Sequence, residues 1–285
     1  PPPALDYEAM DPHSKRLMDA CDWRGMAVTD DHIRRARHGY FANISYVDDK
    51  IGEVLAALAA SRQEAIIVFV SDHGEMLGRK GLWFKMNFFE GAARVPLMIA
   101  ASGLTAGLIE TPVSTIDLTP TLCDLAGISM EEVMPWTDGE SLVPLAQGQP
   151  RSTPVAMEYA AEGSITPMVA LRQGAWKYIH CLADPDQLFD LANDPEEEVN
   201  LATNPRAAEI LAHFQALANE HWDLQAYDNE VRQSQARRWV VYEALRNGNY
   251  YPWDYQPLRA ASERYMRNHM DLNILEESKR FPRGE

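Results

Sequence analysis

The sequence predicts an α/β protein, in which a mixed sheet flanked by helices is followed by a small antiparallel sheet and an extended tail. Three observations favour this class. A long helical pattern precedes a short, β-branched apolar run at 65–70, a second apolar run follows at 95–100, and closely spaced strand patterns recur between 154 and 179. Helix, strand, loop and strand in this order are typical of α/β sheets.

Composition and charge exclude several classes of protein. The 285 residues are 46% hydrophobic and carry a formal net charge of −16, so a folded core is expected and a disordered chain is ruled out. Residues 1–226 hold 33 acidic against 16 basic side chains, whereas residues 227–285 hold 9 against 10. Such an acidic body cannot neutralise a row of phosphates, and no apolar run approaches the ~18 residues of a membrane span. We therefore expect neither nucleic acid nor a membrane as a partner.

The cysteines and the first residues bear on compartment and completeness. Cys21, Cys123 and Cys181 are odd in number and far apart, so we expect reduced thiols and a cytoplasmic location rather than a disulfide framework. The chain starts at Pro1 without Met or a charged-then-apolar leader. We interpret this start as an interior cut or a processed end, with part of the molecule preceding it.

The first half of the chain has the α/β pattern. Residues 1–30 are rich in proline and acidic side chains and predict a surface loop. Thr29 is the expected N-cap of a helix at 32–60, whose apolar residues recur at helical spacing. The strand at 65–70 is expected to be parallel and buried, because both of its faces are apolar. The next predicted elements are a strand, a helix and a linker, at 95–100, 115–125 and 127–154.

The second half predicts a separate small sheet, a helix and a tail. Antiparallel strand patterns and an amphipathic helix lie at 154–159, 168–172, 176–179 and 207–222. The tail carries 9 of the chain's 26 aromatic residues, so we expect it to pack against the body or another subunit. The predicted domains are a catalytic α/β part at 1–152, a small α+β subdomain at 153–226 and an oligomerisation extension at 227–285.

Polar side chains follow the strand at 65–70. Function in open α/β sheets gathers at the carboxyl ends of parallel strands, where this strand delivers Asp72, His73 and Gly74. A carboxylate oxygen beside an imidazole nitrogen suits a divalent cation, and the glycine permits a sharp turn. Positive charge for an anion next to the cation comes from Lys80, Lys85 and Arg94. The tripeptide Asp-His-Gly also occurs by chance, so a turn without a metal remains the alternative.

Five motifs, in the same order along the chain, resemble those of the sulfatase family of the alkaline-phosphatase superfamily. They are Tyr46–Gly52, Val70–Gly78 with Gly81–Lys85 and Arg94–Leu97, Thr115–Thr121, Trp176–Ile179, and Gln187–Leu191 with Asn193–Glu197. Within the family, the choline-sulfatases are the closest group by this resemblance, because residues 263–284 resemble the extension found on them. The fold implied is part of a sulfatase-like mixed sheet.

The resemblance implies a sulfuric ester hydrolase. In it, Asp72 and His73 bind a divalent metal, Ca²⁺ or Mn²⁺, and Lys85 contacts a sulfate oxygen as a catalytic residue. Sulfatases attack with a formylglycine made from the Cys or Ser of a C-x-P-S-R motif, and no cysteine here has that context. We therefore expect the formylglycine and the remaining metal ligands to precede Pro1. This chain would then be the C-terminal part of the enzyme, inactive alone.

Choline-O-sulfate, the expected substrate, requires recognition of a quaternary ammonium group. That group forms no ordinary hydrogen bond and is bound by aromatic faces and a carboxylate. We expect Glu162, in the loop after the first strand of the small sheet, to supply the carboxylate, with Glu276 and Glu277 as a second choice. Trp83 and Phe84 are candidate aromatic surfaces. An ordinary exposed glutamate, and aromatic residues that only pack, remain the alternatives.

Two rival functions stay open. A phosphonate monoester or phosphodiester hydrolase of the same superfamily would use the same Asp-His pair. Alternatively, the isolated chain is a non-catalytic piece, such as an assembly module.

Other ionisable residues carry no predicted role. Glu196, Glu197 and Glu198 are expected to form a solvated turn. The histidines other than His73, His13 among them, lie outside any ligand-like cluster.

Overall fold

In the described part of the chain, residues 6–21, 23–26 and 28–246, the computed structural model contains six strands and eight α-helices. The strands are β1 (Ile67–Val70), β2 (Leu97–Ala100), β3 (Val155–Tyr159), β4 (Met168–Gln173), β5 (Trp176–Cys181) and β6 (Asp184–Asp190). The helices are α1 (Pro12–Ala20), α2 (Asp30–Ser61), α3 (Glu90–Ala93), α4 (Leu118–Leu125), α5 (Met130–Val133), α6 (Val143–Ala146), α7 (Ala208–His221) and α8 (Leu224–Arg246).

Strands β1 and β2 form a two-stranded sheet, and their pairing corrects one expectation. The strands are antiparallel, with Val70 opposite Leu97 and Ile67 opposite Ala100. A parallel pair would need the chain to cross back along the length of the strand, and the segment between them, in which α3 is only four residues long, makes no such crossover. The expected burial is also wrong within the described residues, since β1 is half-buried and exposed at Val70. Because the strands are antiparallel, the loop 71–96 starts after Val70 and ends before Leu97 at the same end of the two-stranded sheet.

The small C-terminal sheet confirms the predicted antiparallel subdomain and adds a strand. Its order is β3-β4-β5-β6, with all neighbours antiparallel. Strand β6 escaped prediction because Asp184, Pro185 and Asp186 have turn-like composition, but a proline is tolerated in an edge strand. One face of the sheet packs against the loop residues Met76, Leu82, Phe88 and Phe89, and the other against α7. The loop after β1 therefore rests on this sheet.

Helix α2 begins where the sequence predicts. Thr29 is its N-cap, and the Thr29 hydroxyl and the His32 ring each bond the other's backbone N–H at 3.3 Å. The apolar stripe is present, yet Ile44 and Val54 are exposed within the described residues. The helix is tied to the loop after β1 by Arg37 Nε, which donates to the Leu77 carbonyl at 2.9 Å.

The predicted surface loop at 1–30 contains a helix instead. Asp11 caps α1, accepting a hydrogen bond from the Ser14 backbone N–H at 3.1 Å, and Pro12 occupies the first helical position. These are ordinary helix-start signals. Burial of Leu17 and His13 against the rest of the fold holds this short helix in place.

A buried ion pair fastens the predicted linker. The helix at 115–125 is confirmed as a turn of 3₁₀ helix followed by α4. Asp117, just before α4, is fully buried and accepts hydrogen bonds from the backbone N–H groups of Ser114 and Glu140. Arg151, at the far end of the linker, donates to Asp117 Oδ2 at 2.8 Å. The linker is therefore anchored to Asp117 at its middle and near its far end.

The predicted solvated turn is wrong at its central residue. Glu197 is 3% exposed, because its carboxylate pairs with the buried ammonium group of Lys177 in β5, 2.6 Å away. Helix α7 confirms the predicted helix at 207–222. No helix among the described residues is long and apolar enough to cross a membrane. Residues from 247 onwards, with the second-choice carboxylates Glu276 and Glu277, lie outside the described part of the chain.

Candidate functional site

The turn that follows β1 carries the predicted metal ligands. Because Val70 pairs with Leu97, this turn lies at the same sheet edge as the segment that leads into β2. The Asp72 side chain is 84% exposed and the His73 side chain 40%. Both are therefore open to a ligand at this edge.

The geometry of the His73 ring suits a metal ligand. Its Nδ1 lies 2.8 Å from the Gly74 carbonyl oxygen, and since a carbonyl only accepts, Nδ1 is the donor. In the neutral ring this leaves the Nε2 lone pair free, 3.5 Å from Asp72 Oδ2. A backbone carbonyl that accepts a hydrogen bond from one ring nitrogen, leaving the other for the cation, is the usual arrangement of a metal-binding histidine.

Asp72 is held as a carboxylate. The His73 backbone N–H donates to Asp72 Oδ1 at 2.9 Å, and this hydrogen bond lowers the pKa of Asp72. Within the described residues no group of three or more His, Cys, Asp or Glu side chains gathers as a metal site. Asp72 and His73 thus offer two donors, whereas a cation such as Ca²⁺ takes about six to eight.

Lys85 lies in the same loop and is tied to the turn by Glu75. The Glu75 carboxylate accepts from the backbone N–H of Phe84 at 2.5 Å and of Leu77 at 3.2 Å. The Met76 N–H donates to the Phe84 carbonyl at 2.9 Å, so the two segments run side by side. The Lys85 side chain is exposed and has no ion-pair or hydrogen-bond partner among the described residues. Its ammonium group is available to an anion.

The two other basic residues of the loop differ in their placement. Lys80 Nζ donates to the Glu197 carbonyl and lies 4.7 Å above the Phe89 ring, and burial lowers its pKa. It points to the C-terminal sheet, so its expected place beside the metal ligands is wrong. Arg94 is exposed and precedes β2. The Phe84 ring, half exposed, packs against Trp23 with ring centroids 5.4 Å apart.

Glu162 sits in the loop between β3 and β4. Its exposed carboxylate accepts a hydrogen bond from Tyr159 Oη at 3.0 Å, and the same hydroxyl lies 3.0 Å from the Glu162 carbonyl. Burial and the Glu162 hydrogen bond raise the pKa of Tyr159, which therefore stays a donor. Arg16 Nε holds the next carbonyl, that of Gly163, at 2.6 Å. Gly163 has φ of 76°, and a Cβ there would meet Leu17 at 2.8 Å, so the loop needs glycine at this position.

A buried histidine links the loops of Lys85 and Glu162. His13 of α1 is 2% exposed, and its Nε2 lies 2.7 Å from the carbonyl oxygen of Met86, the residue after Lys85. Its ring meets the Tyr159 ring edge-on, with centroids 5.7 Å apart. Burial lowers the pKa of His13, which keeps the ring neutral. Sequence reasoning missed His13, because its partners lie 73 and 146 positions away.

Comparison with known proteins identifies the family that this chain resembles. Family profiles match the chain at residues 6–128 (Sulfatase), 78–223 (N-sulphoglucosamine sulphohydrolase, C-terminal) and 229–281 (Choline sulfatase enzyme C terminal). A choline-sulfatase of Rhizobium meliloti is 60% identical over 287 residues, which cover 99% of this chain and 56% of that protein. The chain therefore spans little more than half the length of that relative.

Solved structures show the same architecture. A 2-O GAG sulfatase superposes with a TM-score of 0.67 at 25% identity, covering 76% of this chain and 50% of the other. A phosphonate monoester hydrolase from Silicibacter pomeroyi superposes with a TM-score of 0.65 at 26% identity, covering 78% and 50%. Since one sulfatase profile covers more than half of the chain and a second covers the turn with Asp72 and His73, the chain belongs to the sulfatase family.

Proposed function

We propose that this chain is the C-terminal portion of an enzyme that hydrolyses choline-O-sulfate to choline and inorganic sulfate. The observation that carries the proposal is the 60% identity to the Rhizobium meliloti choline-sulfatase over 99% of the chain. The arrangement of two donors, an available lysine and an exposed carboxylate supports it.

Asp72 and His73 would hold a divalent cation, which when bound polarises the oxygens of the sulfate ester. The free Nε2 of His73 and the ionised Asp72 support this role. The imidazole nitrogen favours Mn²⁺ and the carboxylate favours Ca²⁺, so both metals are kept as candidates.

Lys85 would bind a sulfuryl oxygen and offset the negative charge that develops there in the transition state. The support is its exposure and the lack of a counter-charge among the described residues. The hydrogen bonds of Glu75 to the backbone N–H groups of Phe84 and Leu77 hold the segment before Lys85 next to the turn that follows His73.

Glu162 would face the trimethylammonium group of choline. A carboxylate and an aromatic surface are what such a cation requires, and Tyr159 stands beside Glu162 at hydrogen-bond distance. The second Glu162 oxygen remains open to solvent and thus to a ligand.

The nucleophile is proposed to be a formylglycine in the part of the relative's length that this chain does not span. A fair test expresses the complete gene product that carries this chain and measures sulfate and choline release from choline-O-sulfate. Equimolar release is expected from that product and none from the 285-residue chain alone. Release by the isolated chain would overturn the fragment assignment, and inactivity of the complete, formylglycine-bearing product would overturn the substrate.

A second candidate function is phosphonate monoester hydrolysis, which the superposition on the Silicibacter pomeroyi hydrolase favours. The Asp72–His73 pair and Lys85 would serve phosphoryl oxygens equally well. Comparing kcat/KM for choline-O-sulfate and for an aryl phosphonate on the same preparation separates the two. Equal or better turnover of the phosphonate would favour this second function.

Assembly and location complete the proposal. We assign residues 227–285 to contacts between subunits of a homo-oligomer, supported by their aromatic content and the match to the choline-sulfatase C-terminal profile. The thiols of Cys123 and Cys181 support a cytoplasmic location. Removing residues 247–285, which leaves the helix α8 in place, should lower the number of subunits per particle, obtained by dividing the mass measured by light scattering by the mass of one chain. An unchanged number of subunits would contradict the assignment.

A further inference from the structure

Lys177 of β5 is a lysine with no exposed surface. Its Nζ lies 2.7 Å from Glu90 Oε1, 2.6 Å from Glu197 Oε1 and 2.8 Å from the Phe88 carbonyl oxygen. A buried ammonium group needs such partners, because water cannot solvate it. The ammonium group therefore has three oxygens within 2.8 Å, two of which belong to the segment 88–90.

Glu197 also contacts the segment 88–90, through a hydrogen bond to its backbone. Its Oε2 accepts the Glu90 backbone N–H at 2.7 Å, and its own backbone sits at φ of 57°, a region that non-glycine residues seldom adopt. Lys80 donates to the Glu197 carbonyl. The start of α3 is thus fixed to the C-terminal sheet through both the side chain and the backbone of Glu90.

Helix α3 in turn lies directly against the turn that carries the proposed metal ligands. The Gly74 N–H donates to the Ala92 carbonyl at 2.8 Å. A Cβ on Gly74 would stand 2.2 Å from the Gly91 oxygen, and one on Gly91 would stand 2.9 Å from the Met76 sulfur. The contact is backbone against backbone, so any shift of α3 passes to Gly74 without a side chain to absorb it.

We infer that Lys177 is a positioning residue for the metal-binding turn, which it orients through Glu90, Glu197 and α3. The meaning of that orientation for catalysis rests on the proposed function, in which Asp72 and His73 hold the cation. The alternative is that the cluster only stabilises the C-terminal sheet and leaves the turn unaffected.

The test is amide hydrogen exchange in the 285-residue chain, read at Gly74 and at the paired strands β4 and β5. Glu90→Ala removes the side-chain contact between Lys177 and α3, while the Lys177–Glu197 pair and the backbone N–H hydrogen bond from residue 90 to Glu197 stay intact. We expect exchange at Gly74 to quicken about tenfold or more, with β4 and β5 changed less than about twofold. Lys177→Met should act in the same direction, and Lys177→Arg should restore part of the protection.

The matched control is Asp184→Ala. This variant also removes the carboxylate of an ion pair, because Asp184 pairs with Arg16 and so joins α1 to the C-terminal sheet. Neither residue belongs to α3. This control should leave exchange at Gly74 unchanged. Unchanged Gly74 exchange in Glu90→Ala, or equal acceleration in the control, would overturn the inference. Should Lys177→Met fail to fold, Glu90→Ala decides alone.

Binding of Mn²⁺ by the complete gene product, followed by calorimetry on the same substitutions, separates this inference from the proposed function. Positioning predicts weaker Mn²⁺ binding by Glu90→Ala and undiminished binding by Asp184→Ala. Should the complete parent protein bind no Mn²⁺ while Gly74 exchange still responds to Glu90→Ala, the metal role of the turn fails and the mechanical coupling stands.

Discussion

Two aspartates with opposite surroundings give the sharpest stability prediction. Asp117 is fully buried and Arg151, its partner, has a side chain only 7% exposed. Replacing Asp117 by Asn leaves the buried guanidinium with only the more distant Glu140 carboxylate, 4.0 Å from Arg151 Nε, as its counter-charge. Removal of one partner from such a pair costs about 3–5 kcal/mol. That is a large share of the roughly 5–15 kcal/mol that holds a domain folded.

Urea unfolding followed by tryptophan fluorescence and circular dichroism measures the effect. With a denaturant slope of about 3 kcal/mol per molar, at the upper end of the usual range, the midpoint of Asp117→Asn should fall by roughly 1–2 M. Asp72→Asn is the matched control, since the Asp72 side chain is 84% exposed. Its midpoint should stay at the parent value, while its Mn²⁺ binding is lost. Equal midpoints for the two variants would refute the assignment of Asp117 to structure and Asp72 to the site.

Three further predictions follow from the site. The pKa of His13 is lower in the folded than in the unfolded protein, so the stability that the neutral ring confers is present above about pH 6.5 and is lost as the pH falls below that value. In thermal melts, His13→Gln should make the melting temperature depend less on pH. An unchanged pH dependence of the melting temperature would contradict the role of His13. Glu162→Gln should raise KM for choline-O-sulfate with metal content intact, and Tyr159→Phe should raise it less; an unchanged KM for both would remove Glu162 from the site. Gly74→Ala should abolish Mn²⁺ binding, because the added Cβ would stand 2.2 Å from a carbonyl oxygen, and full retention of binding would show that the turn tolerates it.

Local patterns predict the elements of this fold well where the signal lies within one element. The cap at Thr29 and the antiparallel strand patterns of β3 to β5 depend on neighbouring residues, and both are confirmed. The direction of β1 depends on where its partner strand runs, which apolar composition does not encode, and the parallel assignment was wrong. Helix α1 did carry a cap at Asp11 and a proline at its first position, but the proline-rich composition around it outweighed these signals.

The candidate site shows the same division. Asp72, His73 and Lys85 fall in one loop, so a single stretch of sequence predicts their proximity. His13 and Glu197 act through partners on other elements, and a histidine in a helix or a glutamate in an acidic run has no local mark of burial. One signal was available: a lysine inside the apolar strand β5 requires a carboxylate partner, and Lys177 has two, of which that of Glu197 is buried.

A comparison of two substrates on the complete gene product tests the choline assignment. One is choline-O-sulfate, and the other is its isostere without the positive charge, in which a tert-butyl group replaces the trimethylammonium group. If Glu162 and the neighbouring aromatic surface recognise the cation, kcat/KM should favour the choline ester by about tenfold or more. Glu162→Gln should remove most of that preference. Equal kcat/KM for the two esters in the parent enzyme would contradict a choline-sulfatase.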